Sequence, residues 1–395
     1  MPLRDLHRVE ARNVAKSTVD CSGADRPGAD SAALAGGEPE YLCWGGGESP
    51  EKARQVLATL GAVELEYAAI RNGAALVDAA ARAVIRCEGE DAQDLLNRLT
   101  TRKLDDLAVG EVRSTFFLTR TGRILSEFNV VRTESAMLID VDCTDVEPLL
   151  AAIDHHVFSE DVQVAVDEDG YTLELHGPDA ERVLGACASV LPDLGRSNAG
   201  VIAGRPIRCT RNDVLGVPGV RIHVHREDAA AIWETLHARG RAVVTRCRTA
   251  GWYAVNIARV EAASPWWHVD YGPTTVPHET GLLQSHVDFD KGCYPGQEVV
   301  ARMEYLGNPK QILRRIIVAD ERLPIAGGQI FGGDDASLGD PIGVITSSSP
   351  APMRGNQAVA MGMVKWSSAA VGTPVRLVAE GAAVRGTIEE IEVPE

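Results

Sequence analysis

Stretches in which apolar residues recur at every second position alternate along this chain with stretches of helical spacing, and glycine, proline or an acidic residue punctuates them. Val84-Ile-Arg-Cys-Glu-Gly89 has the pattern of a strand, and Asp91 caps a predicted helix through Leu99. Ser114 to Thr119 and Ile124 to Val131 are apolar runs joined by Arg120-Thr-Gly-Arg123, the signature of a hairpin. Ala136 to Val141 predicts a further strand, after which Thr144 caps a helix to about His156. The strand, Gly89-Glu-Asp-Ala92 and helix are echoed by Tyr171 to His176, Gly177-Pro-Asp-Ala180 and a helix through Ala186, so one strand-turn-helix unit is used twice. Strand 219 to 225, helix 227 to 238 and strand 242 to 246 suggest a third. Strands with polar faces alternating with helices suit an α+β sandwich better than a buried parallel sheet.

Both ends depart from this pattern. Residues 1 to 48 are rich in Gly, Ala, Ser and Asp without sustained periodicity, which predicts a flexible extension. Ser49, Pro50 and Glu51 then read as N-cap, N1 proline and first-turn acid of a helix to about Leu60, and Glu66 to Ala81 as helix or loop. Beyond about residue 310, short β-rich segments at 312 to 319, 341 to 346, 357 to 364, 374 to 379 and 384 to 392 are separated by Gly, Pro, Ser and Asp, as in a small antiparallel barrel.

A chain of 395 residues exceeds one ordinary core. The expected domains are the extension 1-48, a body 49-305 in two α+β subdomains (about 49-170 with 250-305, and 171-249), and the barrel 306-395. A formal net charge of −17 opposes broad neutralisation of phosphates, so no nucleic-acid partner is expected. No apolar run of about 18 residues predicts a membrane span. The eight cysteines stand singly, with no C-x-x-C pair and no histidine at zinc-finger spacing, so neither a disulfide scaffold nor a structural metal site is expected, and a reducing cytoplasm fits best.

The chemistry concentrates in Asp290-Lys-Gly-Cys-Tyr-Pro-Gly-Gln-Glu-Val-Val-Ala-Arg-Met-Glu-Tyr305. Cys293 lies between Gly292 and Tyr294 on an irregular loop, just ahead of a helical pattern that begins near Gln297. The positive end of that helix and the ammonium of Lys291 would both favour a thiolate. Such a group can attack an electrophilic one-carbon unit, shuttle sulfur or iron, or form a mixed disulfide.

Lys291-Gly-Cys-Tyr-Pro-Gly-Gln-Glu298, continuing to Val300-Ala-Arg302, resembles the K-G-C-Y-x-G-Q-E signature of the YgfZ family. These are folate-binding relatives of the glycine-cleavage aminomethyltransferase, the T-protein or GcvT. The resemblance runs from about Glu66 to the C-terminus. It implies GcvT-like folate-binding α+β domains with mixed sheets and helices, a C-terminal barrel, tetrahydrofolate or a one-carbon-substituted folate as cofactor, and iron-sulfur proteins as clients.

A reduced folate asks for a carboxylate that accepts two hydrogen bonds from the pterin, an apolar or aromatic wall, and cations near the glutamate tail. Residues 252 to 302 offer all three, including the aromatic loop Ser264-Pro-Trp-Trp-His-Val-Asp-Tyr271 with Trp266 and Tyr271. By resemblance, Glu261 in Ile257-Ala-Arg-Val-Glu-Ala262 stands at the pterin-gripping glutamate of the T-protein's L-R-L-E-x-G motif, with Ala262 replacing the glycine. Thr274-Thr-Val-Pro-His-Glu-Thr-Gly-Leu282 resembles T-x-P-x-E-A-G-L, placing Glu279 in the same cavity, while Lys291 and Arg302 supply cations. The acidic strand of the T-protein, G-x-x-x-D-D, corresponds to Gly122-Arg-Ile-Leu-Ser-Glu-Phe128. Ser126 and Glu127 replace its aspartates, which leaves Glu127 as the candidate acid. His278 and His286 are read as ordinary polar residues. The expectation is one pterin-shaped pocket shared by Cys293, Glu261 and Glu279.

Overall fold

The computed structural model describes residues 2–21, 38–45, 53–333 and 339–391. In chain order the elements are α1 (Arg4–Cys21), β1 (Glu40–Trp44), β2 (Arg54–Thr59), α2 (Val63–Asn72), β3 (Ala74–Asp78), β4 (Arg82–Glu88), α3 (Ala92–Leu99), β5 (Val112–Leu118), β6 (Ile124–Arg132), β7 (Met137–Asp142), α4 (Val146–Asp154), β8 (Gln163–Val166) and β9 (Gly170–His176). There follow α5 (Ala180–Ala186), β10 (Ser197–Ile202), β11 (Arg205–Arg211), β12 (Gly219–His225), α6 (Ala229–Val243), β13 (Cys247–Thr249), α7 (Trp252–Glu261), α8 (Leu283–His286) and α9 (Gln297–Leu306). The C-terminal strands are β14 (Gln311–Val318), β15 (Gln329–Gly332), β16 (Pro341–Ala351), β17 (Gln357–Lys365), β18 (Pro374–Ala379) and β19 (Ala382–Glu389). Among the described residues no helix is long and apolar enough to cross a membrane.

The chain forms two compact units. The first comprises Met1–Val84, Asp142–Thr144 and Val166–Asn256. Its sheet has the order β10-β11-β12-β9-β3-β13, antiparallel except where β13 runs parallel to β3. Alternation on β12 turns Val220, Ile222 and Val224 inward, where they meet Val183 and Leu184 of α5 and Ile232, Trp233 and Leu236 of α6. Burying each such side chain contributes about 1.5–3 kcal/mol.

Two expectations change in this unit. Residues 4 to 21, read as part of a flexible extension, form α1, with Leu3, His7 and Ala11 wholly buried. The first turns of α1 are highly charged, so the helical spacing of those three inward positions is hard to see among the arginines and acids. The helix expected up to Leu60 is instead the strand β2, paired with β1, and Ser49, Pro50 and Glu51 lie outside the described residues. A run such as Val56-Leu-Ala58 suits either element, and a partner strand decides it.

The second unit comprises Ile85–Val141, Asp145–Ala165 and Ile257–Glu395. It holds a five-stranded sheet, β5-β6-β7-β4-β8, and a closed six-stranded barrel, β14-β17-β16-β15-β18-β19. The α+β class with mixed sheets and a C-terminal antiparallel barrel is thus the fold of this chain. Sequence reading missed β15, whose four residues are too few to show a period. At α4 the N-cap position belongs to Asp145 rather than Thr144, whose hydroxyl donates to Asp142 Oδ1 at 2.7 Å.

The repeated strand-turn-helix unit is present in both copies. Gly89 and Gly177 have φ of +116° and +126°, and a Cβ on either would collide with the backbone carbonyl of Asp161 or Gly73 respectively. Those carbonyls accept from Asp91 N and Asp179 N, two residues after each glycine. Neither aspartate side chain caps its helix; Asp91 Oδ2 instead accepts from Asp161 N at 2.8 Å.

Candidate active site

Strand β6 turns Ile124, Ser126 and Phe128 into the core and sends Leu125, Glu127 and Asn129 to its other face. Each oxygen of the Glu127 carboxylate meets a separate group. Tyr271 Oη donates to Oε2 at 2.6 Å, and His286 Nε2 lies 3.2 Å from Oε1. Tyr271 is buried, and burial together with the charge of Glu127 pushes its pKa far above the ordinary phenol value. The His286 ring stacks on Phe116 with centroids 4.7 Å apart, and Trp267 lies 5.5 Å from the Tyr271 ring.

The aromatic loop that delivers Tyr271 is pinned by two acids. Asp145 accepts from Trp267 Nε1 and contacts His268 Nε2, both at 2.7 Å, while His268 adopts φ of +64°, a left-handed conformation unusual for a non-glycine residue. Asp270 pairs with Arg259 Nη1 at 2.6 Å and accepts from Trp266 N, Thr346 Oγ1 and Ser347 Oγ. The guanidinium lies over the Trp266 ring, 5.6 Å from its centroid. Arg259 and Asp270 have no side-chain exposure, so α7, the aromatic loop and β16 are joined through one buried ion pair.

The Cys293 loop is set by close backbone contact. Gly296, at φ +79°, is the N-cap of α9, and a Cβ there would lie 2.9 Å from Gly122 Cα on the β5–β6 turn. Tyr294 and Val300 join Phe116, Trp267 and Tyr271 in one apolar cluster, so the loop and the setting of Glu127 share a core. Cys293 itself is exposed.

The cations behave differently from expectation. Lys291 does not turn to the thiol; its ammonium donates to the carbonyls of Asn97 (2.5 Å), Thr100 (2.5 Å) and Arg102 (2.9 Å). These close the C-terminus of α3, where orphan carbonyls and the helix dipole attract a cation. Burial lowers the pKa of Lys291 to about 8. Arg302 sits on the surface of α9 in an exposed pair with Glu298.

Glu261 and Glu279 are both buried and both used by the backbone. Glu261 Oε1 accepts from Met353 N at 2.9 Å, and Glu279 Oε2 accepts from Val276 N at 3.1 Å. Burial raises the pKa of Glu279. The residues gathered around Glu127 are therefore Tyr271, Trp267 and His286, of which His286 was read as ordinary polar. Its only signal in the sequence is a place seven residues before Cys293, and that does not show which way the ring turns. His278 pairs instead with Glu304, 3.2 Å away.

Against the demands of a reduced folate, the fit is partial. Glu261 is a buried carboxylate that accepts from Met353 N, and Trp266 and Trp267 supply aromatic residues beside it in sequence. The expected cations fit less well, since Lys291 is committed to carbonyls. A cleft of about 280 Å³ beside the loop offers Arg102, Lys103 and Arg113, already facing Asp106 and Asp288.

A family model described as the GCVT N-terminal domain matches residues 48–291, ending two residues short of Cys293. An aminomethyltransferase of Pseudothermotoga lettingae is 28% identical over 292 residues, covering 73% of this chain and 78% of that protein. One from Shouchella clausii is 24% identical over 333 residues, covering 82% and 88%. The crystal structure of the glycine cleavage system aminomethyltransferase T from Bartonella henselae superposes with a TM-score of 0.77 at 22% identity, over 89% of this chain and 92% of that one, which shows a common fold. With the family match spanning more than half its length, this chain belongs to the family of the GCVT N-terminal domain.

Proposed function

We propose that this protein binds a reduced folate and, like YgfZ, supports iron-sulfur proteins, with Cys293 as its reactive group. The observation that carries the reading is the presentation of the Lys291-to-Glu298 segment: Gly296 is locked against Gly122, Lys291 is anchored on α3, and Cys293 between them faces solvent. A loop that buries Tyr294 and exposes the adjoining thiol is poised for exchange with another molecule. Glu261 is the carboxylate proposed for the pterin, with Trp266 and Tyr271 nearby in sequence; Glu279 and Arg302 are assigned to the same ligand by resemblance alone.

Titrating the protein with tetrahydrofolate while following tryptophan fluorescence, beside Glu261→Ala, tests the binding half. Saturable quenching that weakens at least tenfold in the variant is expected; equal affinity in both proteins, or none in either, rejects the site. A Cys293→Ala strain that keeps full iron-sulfur enzyme activity rejects the thiol's role.

A second reading, favoured by the placement of Glu127 between Tyr271 and His286 and by the names of the relatives, is folate-dependent aminomethyl or methyl transfer, or demethylation. It expects a substituted folate by mass spectrometry from an N-methyl or S-methyl donor, abolished by Glu127→Gln.

A further inference from the structure

Counting hydrogens around His286 limits its protonation. Ser285 has one hydroxyl hydrogen, and its Oγ lies 3.0 Å from Leu282 O and 2.8 Å from His286 Nδ1. When that hydrogen goes to the carbonyl, Nδ1 must be the donor to Ser285. Nε2 meanwhile faces Glu127 Oε1, and a carboxylate oxygen only accepts; the other oxygen already takes the Tyr271 hydroxyl. An imidazolium against a carboxylate makes all of these contacts at once, whereas a neutral ring with hydrogen on Nε2 leaves Leu282 O to the backbone N–H groups of Ser285 and His286. The charged groups nearby are paired: Asp270 with Arg259 at 2.6 Å, and Arg102, which donates to the carbonyls of Gln284 and Ser285, with Asp288 at 3.1 Å. The two members differ in access: the His286 side chain is 7% exposed and that of Glu127 is 25% exposed.

We infer that His286 is the proton store of Glu127, a buried imidazolium that feeds a carboxylate able to reach a ligand. The Nε2–H bond breaks as an O–H bond forms on Glu127, and that O–H bond breaks in turn as a proton joins a basic nitrogen of the ligand. The imidazole is left neutral with its hydrogen on Nδ1, and a solvent proton arriving through Glu127 restores it. No electrons change hands. The identity of the acceptor rests on the transferase reading above, whereas the couple itself does not. His286 is a positioning residue in this scheme, because it acts only through Glu127.

Nitrogen NMR of ¹⁵N-histidine-labelled, ligand-free protein tests the couple. Both His286 nitrogens are expected to carry hydrogen in the wild type at neutral pH, and only one of them in Glu127→Gln. A neutral ring in the wild type, or a ring protonated on both nitrogens in Glu127→Gln, overturns the inference. Ser285→Ala, a change at a half-buried position that spares the packing on Phe116, gives a second measure: the ring stays protonated on both nitrogens if Glu127 is the main partner and loses one hydrogen if Ser285 dictates its state, which also overturns the proposal. Tetrahydrofolate titration of the same samples separates the failures. A couple without folate binding rejects the functional reading alone, and folate binding without the couple rejects this one alone.

Discussion

Gly122 and Gly296 meet backbone to backbone, each at positive φ (+75° and +79°), so neither can carry a Cβ without displacing the other's segment. A Cβ on Gly122 would lie 2.8 Å from Val299 on α9, and one on Gly296 would press on Gly122 and on the carbonyl of Thr119. The β5–β6 hairpin that carries Glu127 and the loop that carries Cys293 are thereby held in one fixed register.

Gly296→Ala is therefore expected to cost about 1–3 kcal/mol, from the left-handed backbone and the collision together. Gly292, earlier on the same loop, is the control: a Cβ added there would meet no atom within 4 Å, and Gly292→Ala is expected to be nearly neutral. Thermal melts of the two variants check this. Equal melting temperatures would mean that the glycine contact does not hold the loop.

Thiol reactivity is expected to divide the described cysteines. Cys43 and Cys293 are exposed, whereas burial pushes Cys87 up to about 12 and Cys209 and Cys247 up to about 11. Brief alkylation with iodoacetamide at neutral pH, followed by peptide mass spectrometry, should label Cys43 and Cys293 first and leave the other three unmodified until the protein is denatured. Early labelling at Cys209 or Cys247 would contradict the packing of the first unit.

Much of the architecture was legible because it is written locally. The barrel strands announce themselves by alternation between Gly and Pro breaks, and the twice-used turn by Gly89 and Gly177, whose positive φ only glycine adopts easily. The site was legible in parts. A motif singled out Glu127 and an aromatic loop singled out Tyr271, yet nothing local joins them, since they stand 144 positions apart. Lys291 shows the limit from the other side. Reading along the chain assigned its charge to the thiol two residues away, while its partners lie 189 to 194 positions upstream. Periodicity reports which face a residue occupies and is silent on what that face meets.

The Arg259–Asp270 pair is expected to respond asymmetrically. Arg259→Met strands a buried carboxylate and should cost about 3–5 kcal/mol, whereas Arg259→Met with Asp270→Asn removes both charges and should recover about 1–3 kcal/mol of that. Asparagine keeps acceptor capacity for the Thr346 and Ser347 hydroxyls that now bond Asp270. Urea denaturation of the wild type, both single variants and the double variant measures the coupling, and strictly additive losses would show that the pair is not energetically linked.

A last prediction concerns pH and the docking of α1. His7, wholly buried, places Nε2 3.8 Å from Asp78 Oδ2, and Asp78 Oδ1 accepts from Tyr171 Oη at 2.6 Å, with Tyr41 Oη 3.1 Å from His7 Nδ1. Burial lowers His7 to about 4 and raises Asp78 to about 7. The folded pair thus holds one proton between about pH 4 and 7, whichever partner carries it. The unfolded pair also holds one over nearly the same range, because a free histidine keeps its proton to about 6.5 and a free aspartate loses its own near 3.9. The two contributions cancel, and this pair should leave wild-type stability nearly level from pH 4 to 6.5. Single changes uncover the opposing slopes. In Asp78→Asn, unfolded His7 binds the extra proton, so stability should rise with pH from about 4 to 6.5, by at most ~1.4 kcal/mol per pH unit. In His7→Gln, folded Asp78 binds it, so stability should fall as pH rises from about 4 to 7 at a similar limiting rate. Chemical denaturation at half-unit pH steps checks all three proteins, each variant being compared with the wild type so that the pH dependence of every other group drops out. Variants whose difference from wild type shows no slope, or slopes of the same sign, would mean that the two buried groups do not exchange one proton.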